Sequence, residues 1–259
     1  MTLVEFDGVQ IHYEITGKIG QPVLVLSHSL GANLALWQPQ VQRLGSHFRF
    51  LRYDTRGHGA SSIPQDSCTI AELGEDVLHL LNLLELEYVS FCGLSMGGVI
   101  GQWLGINAPH RIHKLILANT AVRIGTTDVW NQRIATVSQE GLRALIPGTL
   151  ERWFTAAFRA SQPGAVAAVE AMLQATNPQG YTACCAAIRD ADFRPDIHAI
   201  AVPTMVIAGS HDPSTPPEDG RFLADNIAGS RFVELPTAHL SNVEAADEFN
   251  AALRSFLES

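Results

Sequence analysis

The sequence predicts a mostly parallel, doubly wound α/β sheet with a block of helices inserted between two of its strands. Three observations lead there. Short runs apolar on both faces recur along the chain, as in the strands of a sheet covered by helices on either side. Stretches with apolar residues at helical spacing lie between them, an alternation that builds α/β layers. Across residues 122–195 the strand pattern stops and helical spacing alone remains.

Strands are expected at 9–15, which alternates, and at 22–27, a continuous apolar run. Residues 48–53, 88–92, 114–118, 204–208 and 231–235 complete the set. Thr69-Ile70-Ala71-Glu72 is a capping box that opens a helix, and Ile70, Leu73, Val77, Leu80, Leu81 and Leu84 continue it at helical spacing. A second helix should run over 95–107 and stop before Pro109; a final one should fill 243–257. In the interrupted region Trp130, Ile134 and Val137, then Leu142, Leu145 and Ile146, then Trp153, Phe154 and Phe158 follow helical spacing. Residues 1–121 and 196–259 are therefore expected to form a core domain. Residues 122–195 should be a helical cap over the strand ends, where open α/β sheets bind ligands.

Composition narrows the function. With 259 residues, 46% hydrophobic and 17% charged, the chain has the balance of a globular enzyme. No apolar run approaches the ~20 residues of a membrane span, and the first residues lack a basic segment followed by an apolar one, so no signal peptide is expected. Cys68, Cys92, Cys184 and Cys185 show no metal-ligand spacing and, with an adjacent pair, make a poor disulfide framework. A reducing cytoplasm is the expected compartment. The formal net charge of −9 argues against nucleic acid and anionic membrane surfaces as partners. Residues 122–195 escape that acidity, with seven arginines against six acids.

The strongest chemical signal is Gly93-Leu94-Ser95-Met96-Gly97, a G-x-S-x-G directly after an expected strand and before an expected helix. A serine hydroxyl is a weak nucleophile until a base activates it. A tight strand-to-helix turn presents it clear of its own backbone, and the flanking glycines keep neighbouring atoms apart. Gly98, Gly101 and Gly105 should let the helix lie close to the sheet. Such a site uses an acid and then a histidine later in the chain. Asp212 follows the strand at 204–208 in Gly209-Ser210-His211-Asp212-Pro213; His239 follows the last strand in Pro236-Thr237-Ala238-His239. His239 can take the Ser95 proton on one ring nitrogen and donate to Asp212 from the other. His211 is adjacent to Asp212 and would point away from it, and Asp54 precedes Ser95, so both are read as structural. Helix capping is the competing role for Asp212. Two backbone donors are needed for a developing oxyanion: Met96 N–H, and Leu30 N–H from the loop Ser27-His28-Ser29-Leu30-Gly31. Ser29 can turn its hydroxyl into the pocket. No metal or organic cofactor is required.

His28-Ser29-Leu30-Gly31, Asp54-x-Arg56-Gly57-His58-Gly59-x-Ser61 and Gly93-Leu94-Ser95-Met96-Gly97-Gly98 resemble the α/β-hydrolases over nearly the whole chain. Ser29-Leu30-Gly31 followed by Trp37, Asn119-Thr120-Ala121 after a strand, and Trp130-x-x-Arg133 are similar to the 3-oxoadipate enol-lactonase family. The resemblance implies hydrolysis of a small anionic enol-lactone in the breakdown of protocatechuate and catechol, without a cofactor. That substrate carries a carboxylate, so a cap cation should meet it, preferably an arginine. Trp130 and Arg133, three apart on one helix, share a face. Arg133 is the expected partner of the carboxylate and Trp130 the wall beside the ring; equally open is a Trp130 that is only cap core and an Arg133 that is solvated. A carboxylesterase, a carbon–carbon bond hydrolase, a perhydrolase or a non-catalytic receptor would share the fold.

Overall fold

In the computed structural model, which describes residues 2–259, the runs apolar on both faces become the strands of one eight-stranded sheet. The order along the chain is β1 (Thr2–Phe6), β2 (Val9–Thr16), β3 (Val23–Ser27), α1 (Gln38–Leu44), β4 (Arg49–Tyr53), α2 (Ile70–Leu83), β5 (Val89–Leu94), α3 (Met96–Asn107) and β6 (Ile112–Ala118). Five helices follow without a strand: α4 (Thr127–Glu140), α5 (Ile146–Trp153), α6 (Ala156–Ser161), α7 (Pro163–Ala175) and α8 (Pro178–Asp190). The sheet then resumes with β7 (Thr204–Gly209), α9 (Pro217–Asn226), β8 (Arg231–Leu235), α10 (Ser241–Glu244) and α11 (Ala246–Leu257). Spatial order is β1-β2-β4-β3-β5-β6-β7-β8. β2 is antiparallel to both its neighbours, and every pair from β4 onward is parallel.

Strand periodicity explains the two cores. Leu24, Leu26, Cys92, Leu94, Ile116 and Ala118 belong to one buried cluster, while Val25, Phe91, Leu115 and Leu117 belong to the other. Successive residues thus feed opposite faces, and both faces are dry. The capping box forms as expected, Glu72 N–H donating to Thr69 Oγ1 at 3.1 Å and Thr69 N–H to Glu72 Oε2 at 2.7 Å. An N-cap of this kind is worth about 1 kcal/mol.

The structure adds three elements to those expected and corrects one. The chain begins with an additional edge strand, β1. Helices α1 and α9 were not anticipated. The final helix is two helices, broken at Ala245 (φ −126°, ψ 56°). At that break Glu244 takes up the Ala238 N–H at 3.0 Å and the Thr155 N–H at 3.2 Å.

The inserted helices are pinned at their neck, where Phe193 N–H donates to Val122 O at 2.9 Å. Glycine makes a second seam: a Cβ on Gly180 of α8 would stand 2.2 Å from Gly57 O. All four cysteines are free and buried. Among the described residues no helix is long and apolar enough to cross a membrane.

Candidate active site

Ser95 stands between β5 and α3 with φ 57° and ψ −114°, a conformation that L-residues seldom adopt. Such a residue stores roughly 1–3 kcal/mol of strain, held by its surroundings. Ser95 N–H donates to Ala118 O at 2.9 Å, and Thr120 Oγ1 donates to Ser95 O at 2.9 Å. The turn is too tight for side chains around it. A Cβ on Gly93 would meet Gly97 O at 2.0 Å, and one on Gly97 would meet Ser27 O at 2.3 Å. Gly98 likewise lets α3 approach Thr120, at 2.6 Å from a Cβ. The spacing of glycines around the serine is thus a steric requirement of the turn.

Asp212, just past β7, is 3% exposed and accepts five hydrogen bonds. Its Oδ1 takes Ser214 N–H at 2.8 Å and Thr215 N–H at 3.1 Å; its Oδ2 takes Thr215 Oγ1 at 2.7 Å, Asn119 Nδ2 at 3.1 Å and His239 Nδ1 at 2.7 Å. Burial pushes the carboxyl up, but His239, Thr215 and Asn119 outweigh it and hold Asp212 below the ordinary carboxylate range. An ionised Asp212 can only accept, so His239 Nδ1 must donate, which leaves the Nε2 lone pair free to take a proton. The Trp153 ring lies 6.3 Å from the His239 ring, centroid to centroid, and Leu240 N–H bonds Trp153 O at 3.1 Å.

Ser95 and His239 line one cavity of about 280 Å³ with Ser29, Leu30, Trp130, Arg133 and Arg152. Ser95 Oγ and His239 Nε2 are not hydrogen-bonded to each other; catalytic contacts of this kind commonly tighten only once substrate is bound. The Leu30 and Met96 N–H groups meet no backbone acceptor among the described residues, which leaves both available to a ligand. Trp130 Nε1 donates to Ile124 O at 2.6 Å. The Arg133 guanidinium lies 5.2 Å from the centre of the Trp130 ring and donates to Tyr181 Oη at 2.9 Å. Burial keeps that phenol protonated, pushed up to about 12.

Arg152 is the cation that sequence reasoning missed. It makes one long hydrogen bond, to Thr149 Oγ1 at 3.3 Å, and burial, then the neighbouring Arg133, lower its pKa. Neither arginine has a carboxylate within ion-pair distance among the described residues. Two half-buried guanidiniums thus face one cavity whose lining holds no carboxylate, with Glu151 acting on Arg152 only by charge. Thr215 and Asn119 were also missed as Asp212 ligands. Asn119 had a signal, the Asn119-Thr120-Ala121 motif after a strand; Arg152 and Thr215 had none. No cluster of three or more His, Cys, Asp or Glu among the described residues could hold a metal ion.

Comparison with known proteins shows the family. A family model described as alpha/beta hydrolase fold matches residues 22–246. The chain is 40% identical to 3-oxoadipate enol-lactonase 2 of Acinetobacter baylyi over 96% of its own length and 94% of the relative's. The enol-lactonase from Burkholderia xenovorans LB400 superposes with a TM-score of 0.98 at 43% identity, each chain covered in full. A hydrolase from Pseudomonas aeruginosa PA01 superposes at 0.96 with 45% identity, covering 100% of this chain and 98% of that one. The chain belongs to the α/β-hydrolase family and, within it, to the 3-oxoadipate enol-lactonases.

Proposed function

We propose that this chain hydrolyses 3-oxoadipate enol-lactone to 3-oxoadipate through an acyl-enzyme on Ser95, in the breakdown of protocatechuate and catechol. The observation that carries the reading is the cavity itself: a serine on a strained turn and a histidine free at Nε2 share it with two arginines that lack carboxylate partners. Ser95 Oγ attacks the ring carbonyl as His239 Nε2 takes its proton, and Asp212 stabilises the imidazolium. Leu30 and Met96 N–H receive the oxyanion; loss of one such donor typically costs about 2.7–4 kcal/mol of barrier. The ring oxygen leaves as an enolate, which takes the proton back from His239 and becomes a ketone. Water then attacks the acyl-enzyme, giving one proton to the same nitrogen; His239 passes that proton to Ser95 Oγ as the acyl–oxygen bond breaks, and the product acid ionises to the new carboxylate.

The substrate's own carboxylate is held by Arg133 and Arg152, with Trp130 and Ser29 flanking the ring. In this role residues 122–195 act as a cap that supplies the cations. The substrate is a small anion, and neither nucleic acid nor a membrane is a partner. Four free, buried cysteines suit a reducing cytoplasm.

A spectrophotometric assay with the enol-lactone beside neutral aryl esters tests the reading, with Ser95→Ala as control. The lactone should be turned over with a far higher kcat/KM than the esters, and Ser95→Ala should abolish both activities. Brisk ester cleavage with the lactone ignored would replace the substrate with that of a carboxylesterase; a wild-type protein inert to both would point to a receptor.

A further inference from the structure

We propose that the buried imidazoles of His28 and His58 form a positioning pair that fixes the Ser29-Leu30-Gly31 turn so that the Leu30 N–H is directed into the cavity. This rests on the reading of Leu30 N–H as an oxyanion donor.

His28 is 0% exposed and His58 1%, and their rings lie 5.2 Å apart. His28 Nδ1 is 2.8 Å from Ser29 O, and its Nε2 accepts Thr55 N–H at 3.0 Å. A carbonyl can only accept and an amide can only donate, so His28 is neutral with its proton on Nδ1. His58 obeys the same logic: Nε2 accepts Gly31 N–H at 2.8 Å, and Nδ1 faces Arg56 O at 3.3 Å. The bracing is reciprocal. His28, on the loop after β3, receives an amide from the turn after β4; His58, on that turn, receives an amide from the loop. Protonating either ring would set an N–H against an amide N–H.

The consequence for Leu30 follows from peptide planarity. In a trans peptide the C=O and N–H point in opposite directions within one plane. The Ser29–Leu30 peptide has its carbonyl held by His28 Nδ1–H and by Ala32 N–H at 3.1 Å. Its N–H must therefore point away from the buried rings, and it meets no backbone acceptor among the described residues. The next two peptides are each held at one end: Gly31 N–H of the Leu30–Gly31 peptide donates to His58, and Gly31 O of the Gly31–Ala32 peptide accepts from Thr176 Oγ1 at 2.9 Å from beside α7. Gly31 has φ +80°, and a Cβ there would stand 2.7 Å from the Leu173 side chain. The turn can thus adopt the required conformation and is clamped between the histidine pair and the inserted helices.

Side-chain isosteres separate positioning from packing. An Asn amide nitrogen occupies the place of His Nδ1, and a Gln terminal amide occupies that of Nε2. His28→Asn can keep the bond to Ser29 O, and His28→Gln cannot. At His58 the order reverses, because Gln can accept from Gly31 N–H and Asn cannot. The experiment measures kcat and KM for the lactone, the rate of Ser95 labelling by a fluorophosphonate, and Tm, for all four variants. His28→Gln and His58→Asn should lose about ten- to a hundredfold in kcat and in labelling rate, part of the cost of losing a donor, with KM within about threefold. His28→Asn and His58→Gln should recover most of that loss at a similar Tm. Equal losses in both variants at each position, or losses that follow Tm alone, would overturn the proposal. So would effects confined to KM. Wild-type protein that is labelled at Ser95 but ignores the lactone would overturn the substrate reading instead, and the labelling rates would still test the pair.

Discussion

Asp212 shows how much one side chain depends on its neighbours. Five donors converge on it, one of them His239 Nδ1. Asp212→Asn keeps the volume but puts an amide where His239 needs an acceptor, which favours the wrong tautomer. By analogy with serine-protease triads, kcat should fall about 10⁴-fold with the fold intact, measured as lactone turnover alongside circular dichroism. A loss of less than tenfold would show that His239 needs no orienting acid. Arg133 and Arg152 invite a different comparison. A hydrogen bond to a charged group is worth about 1.5–3 kcal/mol, so Arg152→Ala should raise KM for the lactone by about ten- to a hundredfold and leave KM for a neutral aryl ester nearly unchanged. Arg133→Ala should behave similarly and also free the Tyr181 hydroxyl that it now bonds. Equal effects on lactone and ester would remove either arginine from the carboxylate site.

Among elements, the strand-to-helix turn and the seam between α8 and the core are the least tolerant of added atoms. Gly180→Ala drives a methyl into the Gly57 backbone, 2.2 Å from its carbonyl oxygen, and no flexible side chain is there to move aside. Overpacking of this kind costs typically 1–3 kcal/mol, so urea unfolding should show a loss in that range. A neutral result would mean that α8 shifts without penalty. These two seams also mark how far the sequence was legible. The G-x-S-x-G, the capping box and the doubly apolar strands were readable because local sterics and period-2 burial dictate them. β1 was not, since its residues lie at the sheet edge and are half or fully exposed. α1 was hidden because, of its seven residues, only Gln40 and Leu44 are buried. The triad candidates could be placed from chain order, whereas the meeting of Arg152 with Ser95 in one cavity and the histidine brace arise from contacts between segments far apart in sequence. Their roles depend on helix rotation and loop path, which no local pattern encodes. His28 and His58 illustrate the point: both stand in motifs that carry the resemblance, yet the amides they hold, those of Thr55 and Gly31, are set by how two separate loops meet.

For the molecule as a whole, the same two histidines make stability depend on acid. Burial is the main cause that lowers His28; burial, then His28 itself, takes His58 down to about 3. Asp54 opposes both shifts by charge, and the carbonyls of Ser29 and Arg56 by hydrogen bonding. An unfolded histidine takes up a proton near pH 6.5, whereas folding lowers both rings below that value. Below that pH the unfolded state binds more protons, so acid favours unfolding. Their contribution is fully present above about pH 6.5 and, for His58, is lost progressively as pH falls toward 3. Asp212, depressed instead, gives up its share only below the ordinary carboxylate range, while Asp76, pushed up by burial despite Arg56, offsets part of the loss. Each excluded histidine contributes a slope of about 1.4 kcal/mol per pH unit. Urea titrations should therefore give a stability that is flat near pH 7.5 and falls between pH 6 and 5, with about 1.2 kcal/mol of the fall from His58 alone and His28 adding to it. His58→Gln removes one titrating ring while retaining an acceptor for Gly31 N–H, and should reduce that fall by about 1.2 kcal/mol. A stability indifferent to pH across this interval, or a slope unchanged in His58→Gln, would mean that the rings accept protons in place, which their hydrogen-bond partners forbid.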